Sequence, residues 1–331
     1  MLVTAQFFAE RVDLFRIRFQ GLHPTSAYNG SVIDTYQQSV LIYNPVAGKL
    51  RRDRERFIER SKGALARAGL RPEFWPTSGA GDATELARRA VRDGVDLVLV
   101  AGGDGTINEV ANGMVGSAVP LGILPAGTAN VLAMELQFGG NLELAAERLA
   151  KCEPTRIAVG RLNGAVKPRH FLLMAGVGLD ARIVSEVSSG LKAKAGKLAY
   201  WVAGFSQMAR LVDQFDVVLD GEPVRCGFAL ISRVRNYGGD VEIATGASLR
   251  SGEFEVVLIR GSIPLKFTAF MVAAFLRQAT KMPGVTVHRV KKVELLGGAQ
   301  VQLDGEHAGW TPASVEIVPD ALTLLMPAGY R

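Results

Sequence analysis

From residue 39 onward, short apolar runs alternate with stretches whose apolar residues recur at helical spacing. Val40–Tyr43, Arg71–Trp75, Asp96–Ala101 and Leu121–Leu124 read as strands. Asp53–Ala68, Ala83–Arg92 and Thr106–Met114 read as the helices between them, and further helices are expected near Ala129–Leu136 and Leu142–Ala150. Strands that are apolar throughout, each followed by a helix, predict a parallel sheet covered on both faces.

After Lys151 the rhythm changes. Strands are predicted at Thr155–Val159, Phe171–Val177, Phe215–Leu219, Phe228–Arg233, Phe254–Ile259, Val285–Val290, Val293–Leu296, Val301–Leu303, Ser314–Val318 and Leu322–Leu325. Asn163-Gly164, Asp220-Gly221 and Asp304-Gly305 are hairpin-turn dipeptides. Two helical insertions, Lys197–Leu211 and Leu265–Gln278, interrupt the series. The second half is therefore expected to be a mainly antiparallel sandwich. The first 38 residues differ from both halves. Phe8, Val12, Phe15 and Phe19 recur at helical spacing among arginines, and Gln20–Gln38 is a polar linker. A membrane-surface helix, a frayed extension and a start codon set too early all fit that pattern.

Composition narrows the class. The chain has 331 residues, 48% hydrophobic and 21% charged, which suits about two globular domains. The two cysteines form no CxxC pair and the four histidines show no metal-ligand spacing, so a disulfide scaffold and a zinc site are not expected. The longest apolar run, within Phe267–Leu276, is about half the ~20 residues that span a bilayer. Glu10 and Arg11 interrupt the stretch where a secretion signal would lie. The net charge of +6 favours anionic partners. No basic run exceeds three residues and no aromatic–basic interleaving occurs, so nucleic acid is not expected.

The candidate chemistry begins at VAGGDGTINEVANG, Val100–Gly113. Gly102, Gly103 and Gly105 follow a predicted buried strand, at the end where open α/β sheets bind ligands. Glycines bring backbone N–H groups close to an anion, and the helix that follows adds its own positive end. Asp104 would repel a bare phosphate, which points to a metal ion between them or to a hydrogen bond that fixes the loop. Thr106 can also cap the helix. YNPVAGK (Tyr43–Lys49), PTSGAGDATELA (Pro76–Ala87) and ILPAGTANVLA (Ile123–Ala133) follow the other predicted strands. Four such loops on one rim describe a nucleotide cleft. Neither GxxxxGK[ST] nor GxGxxG with its distant acid is present.

In this order and spacing, NPxxGK, GGDGTxNEVxNG and LPxGTxN resemble the diacylglycerol kinase catalytic-domain family. These are soluble lipid kinases that include sphingosine and ceramide kinases, and the likeness runs from about Val40 to Ala328. The resemblance implies a nucleotide domain like that of NAD kinases and phosphofructokinases at 39–152 and a β-rich lipid-substrate domain at 153–328. The last strand is expected to return to the first domain. It implies ATP contacts at Asn44, Thr77, Gly102, Gly103, Asp104, Gly105, Thr106, Ile107, Asn108 and Thr128. AGVGLDARIV, LKAKAGKLAYW, YGGDVEIATGAS and LDGEHAG extend the match through the second half. In the family the DGE glutamate is the general base, here Glu306. Asp104 would hold the catalytic Mg²⁺, directly or through water, and Lys49 is a candidate phosphate contact.

Two departures stand out. Where the family carries an aspartate that helps bind a structural magnesium, with neighbouring carbonyls, this chain has Ser251, beside Ser248 and Glu253. A hydroxyl is a poorer ligand for a hard dication, so metal is not expected there. Val131 also stands where GTxN is often followed by aspartate. The expected reaction moves the ATP γ-phosphoryl group to a lipid hydroxyl, diacylglycerol or a related alcohol. Leu265, Phe270, Met271 and Phe275 are candidate walls of the lipid entrance. A soluble-substrate kinase of the NAD-kinase kind and a weakly catalytic regulator are the alternatives. The expected setting is cytoplasmic, at the inner membrane face, and a second copy of the chain is a candidate partner.

Overall fold

In the computed structural model, residues 36–48, 50–164, 167–186, 213–238 and 241–330 are described. The expectations for residues 1–35, Lys49 and the Lys197–Leu211 helix lie outside them. The first strands are β1 (Ser39–Tyr43), β2 (Glu73–Pro76), β3 (Leu97–Gly102) and β4 (Pro120–Pro125). They pair in parallel in the order β2-β1-β3-β4. Every residue of β1, β3 and β4 is buried, as an apolar strand with helices on both faces must be. The helices are α1 (Arg54–Arg67), α2 (Asp82–Arg92), α3 (Asp104–Met114), α4 (Val131–Glu135) and α5 (Leu142–Leu149). Asp53 caps α1 by accepting from the Arg56 N–H, and Asn141 caps α5 by accepting from the Leu144 N–H. The helix predicted from Thr106 begins two residues earlier, at Asp104. Its N-cap is Gly103, in extended backbone, so Thr106 is helical and caps nothing.

The second half is built from β5 (Cys152–Gly164), β6 (Arg169–Phe171), β7 (Met174–Gly178), β8 (Phe215–Leu219), β9 (Glu222–Cys226), β10 (Phe228–Ser232), β11 (Asn236–Tyr237) and β12 (Val241–Glu242). It continues through β13 (Phe254–Ile259), β14 (Val285–Val290), β15 (Lys292–Leu296), β16 (Gln300–Leu303), β17 (Glu306–Trp310) and β18 (Ala313–Pro327). Helix α6 (Leu179–Glu186) follows β7, and α7 (Pro264–Phe275) with the 3₁₀ turn Ala279–Lys281 precedes β14. One antiparallel layer runs β14-β13-β10-β7-β16-β17. The other is carried by β18, β15, β8, β9, β5 and β6. Phe171, Phe254, Ile231, Val293 and Val315 fill the space between the layers, with Phe171 and Phe254 stacked at 5.8 Å. This is the sandwich that the sequence predicts.

Two predicted strands, Ser314–Val318 and Leu322–Leu325, are one strand. β18 bulges between Val318 and Leu322, then runs parallel to β4 through Thr323 and Leu324. A single chain thus belongs to the sandwich at one end and to the parallel sheet at the other. The strand predicted over Phe171–Val177 is instead broken at Leu172-Leu173, because those two N–H groups point at a carboxylate rather than at a neighbouring strand.

Candidate active site

In the order β2-β1-β3-β4, the connection after β1 leads to one side and that after β3 to the other, and the crevice lies at the carboxyl ends of β1 and β3. Asn44 leaves β1 with its N–H on the Ala101 carbonyl (3.1 Å). Its Nδ2 donates to Thr106 Oγ1 at 3.3 Å, tying the first loop to α3. Thr77 leaves β2 with its N–H on Tyr43 (2.9 Å). The loop after β4 lies against the glycine loop so closely that a Cβ on Gly127 would stand 2.4 Å from the Gly103 Cα. Only glycine permits that approach. The result is a cleft of about 480 Å³ lined by Asn44, Thr77, Gly103, Gly105, Thr106, Thr128 and Glu306, with Val46, Ser78 and Glu109. Such a volume suits a small-molecule ligand.

Gly102, Asp104, Ile107 and Asn108 do not line this cleft. Ile107 is buried in the core. The Asp104 side chain turns behind the loop, where Oδ1 accepts from the Leu132 N–H (3.3 Å) at the amino end of α4. Burial raises its pKa, while the N–H groups of Val131, Leu132 and Asn130 pull the other way. The carboxylate among the glycines thus fastens the loop after β3 to the loop after β4.

Glu306 comes from the far half of the chain. Asp304 and Gly305 both have positive φ (49° and 86°), the tight two-residue turn that Asp-Gly favours. The turn presents Glu306 to the glycine loop. A Cβ on Gly105 would stand 2.6 Å from Glu306 Oε1, so the third glycine leaves room for this carboxylate. Oε2 accepts from Arg169 Nη2 at 3.1 Å.

Sequence reasoning missed what holds the turn. The Asp304 carboxylate is buried and accepts four hydrogen bonds. Three come from the N–H groups of Leu172 (3.0 Å), Leu173 (3.0 Å) and Met174 (2.9 Å), and the fourth from Asn108 Nδ2 (2.6 Å). Burial nevertheless pushes its carboxyl up to about 6, against those four donors. Asn108, expected on ATP, therefore joins α3 to the hairpin, and it also reaches the His170 carbonyl. A second brace lies beneath. Asp180 is fully buried, accepts from Tyr237 Oη and from Gln302 Nε2 (2.6 Å), and has its pKa raised by burial. Gln302 Oε1 in turn accepts the Gly305 N–H (2.8 Å). Asp180 and Tyr237 stand in motifs that the sequence offers, but nothing in their spacing says what they touch. Arg169 carries no signal.

Ser248, Ser251 and Glu253 stand in the loop before β13 and do not line the cleft. Of the four expected lipid walls, Phe270 and Met271 are core residues, Phe270 packing on Phe228 at 5.7 Å. A helix between a sheet and solvent must bury one face, and these two lie on it. Leu265 and Phe275 are exposed, with Ile263, Val272 and Leu276 beside them. Among the described residues no group of three His, Cys, Asp or Glu could hold a metal, and no helix is long and apolar enough to cross a membrane.

The chain is similar to known proteins over most of its length. The family model for the diacylglycerol kinase catalytic domain matches residues 38–162, and that for the YegS C-terminal NAD kinase beta sandwich-like domain matches 174–326. Diacylglycerol kinases of Staphylococcus aureus strains bovine RF122 / ET3-1 and MRSA252 are each 28% identical over 284 residues, 83% of this chain and 87% of theirs. A solved diacylglycerol kinase structure from Bacillus anthracis str. Sterne superposes with a TM-score of 0.73 at 23% identity. It covers 90% of this chain and 99% of its own, a likeness of fold.

Proposed function

We infer that this chain, which belongs to the diacylglycerol kinase family of lipid kinases, moves the γ-phosphoryl group of ATP onto the hydroxyl of a lipid alcohol, with diacylglycerol the first candidate. One observation carries the reading: among the described residues, the only side chain from the far half of the chain in the cleft is Glu306, with an oxygen over Gly105. In this reading residues 39–152 hold the nucleotide and 153–328 present the lipid. The backbone of Gly103–Thr106 cradles the phosphates, while Asn44, Thr77 and Thr128 contact the nucleotide. Glu306 takes the hydroxyl proton as that oxygen attacks the γ-phosphorus. The bond from γ-phosphorus to the bridging oxygen breaks, and ADP leaves. Arg169 orients the carboxylate from the other side.

Mg²⁺ arrives with ATP, whose charge it neutralises. An ion that keeps its waters and phosphates needs only one or two carboxylates. Glu109 and Glu306 line the cleft, and Asp104 lies behind the loop. Turnover of γ-labelled ATP on mixed lipid vesicles with Mg²⁺ tests the assignment. Labelled phosphatidic acid is expected. A different labelled lipid would move the substrate, and label on a soluble acceptor alone would overturn the lipid reading.

In this reading Asp104 has two separable duties: from behind the loop it anchors α4, and through water it is a charge that serves Mg²⁺. Asp104→Asn keeps an oxygen for the Leu132 N–H and removes the charge. We expect it to melt near the parent temperature and to lose at least ~100-fold in kcat, as removal of a charge that acts in the transition state does. Asp104→Ala should lose activity and also melt lower, since the N–H groups at α4 lose their partner. Near-normal turnover by Asp104→Asn would leave Asp104 an anchor only.

The lipid must be met at a surface. Ile263, Leu265 (75% exposed), Val272 and Leu276 (67% exposed) form an apolar strip on α7, with Lys266, Arg277 and Lys281 around it. An anionic bilayer complements both features. Leu265→Glu with Leu276→Glu should lower turnover on anionic vesicles about tenfold and leave turnover on detergent-dispersed lipid unchanged. Equal losses in both assays would remove α7 from membrane contact.

A further inference from the structure

Arg233, the residue after β10, is fully buried. Its guanidinium is surrounded by main-chain carbonyls. Nη1 donates to Ser251 (2.6 Å) and Glu253 (3.2 Å), and Nη2 to Leu249 (2.8 Å) and Ala158 (3.0 Å). Nε is buried and finds no partner. Among the described residues no carboxylate pairs with this cation. Burial lowers its pKa to about 10, which leaves it charged at neutral pH. Among the described residues, carbonyl oxygens are its hydrogen-bond partners, which is how a hard metal ion is held when carbonyls supply the ligands.

The same loop is where the family resemblance implies a structural magnesium, and the residues do not fit one. The Glu253 carbonyl is taken by Arg233, and the Ser248 carbonyl accepts the Ser251 N–H (3.0 Å). Ser251 Oγ accepts the Glu253 N–H (3.1 Å). A dication here would also stand beside a fixed positive charge. Arg233 ties together what such an ion would brace. Ala158 belongs to β5, and Leu249, Ser251 and Glu253 to the loop before β13. The Arg233 N–H donates to the Leu173 carbonyl (2.8 Å), and the Leu173 N–H donates to Asp304 beneath the Glu306 turn.

We propose that Arg233 is a built-in structural cation that takes the place of a divalent metal in bracing the 248–253 loop against β5 and the 172–174 segment, so that the fold needs no metal ion there. The proposal is independent of which substrate is phosphorylated.

Melting of the full chain without nucleotide tests it. The unaltered protein should melt at the same temperature in EDTA and in excess Mg²⁺ or Ca²⁺, because a ligand shifts the transition only by binding the folded state. Arg233→Met should melt about 10 °C lower in either condition, since four carbonyls lose their donors. Arg233→Lys, which keeps the charge with fewer donors, should fall between the two. Arg233→Ala with Ser251→Asp empties the cage and adds a carboxylate, and its melting temperature should rise with Mg²⁺ or Ca²⁺. A clear stabilisation of the unaltered protein by either ion, abolished in Ser251→Ala, would overturn the proposal. So would an Arg233→Met chain as stable as its parent, or a double variant indifferent to both ions. Should Arg233→Met fail to fold, the metal titration of the unaltered protein and the Arg233→Lys variant still decide.

Discussion

Glu306→Gln should lower kcat on lipid by ~10³-fold while ATP binds as tightly as before. A positioned general base contributes roughly 10²–10⁴ in rate, and an amide cannot take the proton. Nothing else in the site should move. The Glu306 side chain is 52% exposed and its Arg169 partner is also partly exposed, so the pair stabilises the fold little. Gln has the same length and still offers an oxygen to Arg169. Steady-state kinetics on vesicles, calorimetric ATP binding and a melting curve separate these effects. Loss of kcat with binding and melting unchanged is the expected outcome. Turnover within a few-fold of the parent would remove Glu306 from proton transfer and leave it a positioning contact for Gly105. Glu306→Asp should also be slow, because the side chain, one methylene shorter, no longer reaches the position over Gly105 that Oε1 occupies.

Much of the fold is legible in the pattern of apolar runs, because burial on both faces leaves an unmistakable mark. β1, β3 and β4 are apolar throughout, and the predicted segments fall within a residue or two of the observed ones. β13 matches at both ends for the same reason, and the edge strand β14 matches through its alternating valines, Val285 and Val287, with Val290 closing a β-branched run. β9 and β17 leave no such mark. Glu222–Cys226 and Glu306–Trp310 are polar and exposed in part, and edge strands carry little hydrophobic signal. The false continuity of Phe171–Val177 has a different origin. Composition favours a strand there, but Asp304, more than a hundred residues away, withdraws the N–H groups at its centre. Contacts of that span are invisible to a local reading.

The candidate site divides along the same line. Asn44, Thr77, Gly103, Gly105, Thr106 and Thr128 follow predicted strands, so their convergence in one cleft is a consequence of parallel topology. Backbone direction does not say which way a loop side chain turns. Asp104 and Asn108 share the segment with Gly105, yet their side chains face α4 and the Asp304 hairpin respectively. Asp304 reads in the sequence as a turn residue. Its role as a turn residue accounts for the Asp-Gly pair fully, and so hides the four hydrogen bonds on its carboxylate. Arg233 shows the limit most sharply, since one arginine between a strand and a loop offers no clue that four carbonyls surround it.

The Asp304 carboxylate should therefore be the most sensitive single position outside the cleft. All four of its partners are donors, three backbone N–H groups and Asn108 Nδ2. Asp304→Asn leaves one oxygen for those four and turns an NH₂ group against N–H groups. Each buried donor left unpaired costs about 1–3 kcal/mol, so the variant should lose ~3–5 kcal/mol, a large part of an ordinary folding margin. The surviving folded protein should lose at least ~100-fold in kcat, because displacement of Glu306 by about an ångström is enough for that. KM for ATP should change only a few-fold, since Asn44, Thr77 and Thr128 stand on loops of the parallel sheet. The titration adds a second signature. In the folded state Asp304 titrates near 6, above the ordinary 3.8, because burial disfavours the charge. The folded chain then binds this proton more tightly than the unfolded one. Its linkage contribution to stability is fully present below about 3.8 and is lost as pH rises through about 6. Activity should run the other way, because the ionised carboxylate accepts all four hydrogen bonds and holds Glu306 over Gly105. Between pH 4 and 7 the melting advantage of the parent over Asp304→Asn should shrink while the parent's kcat rises. A constant melting difference across that range, measured in one buffer series at fixed ionic strength, would show that Asp304 is already ionised at the acid end and that the four donors outweigh its burial.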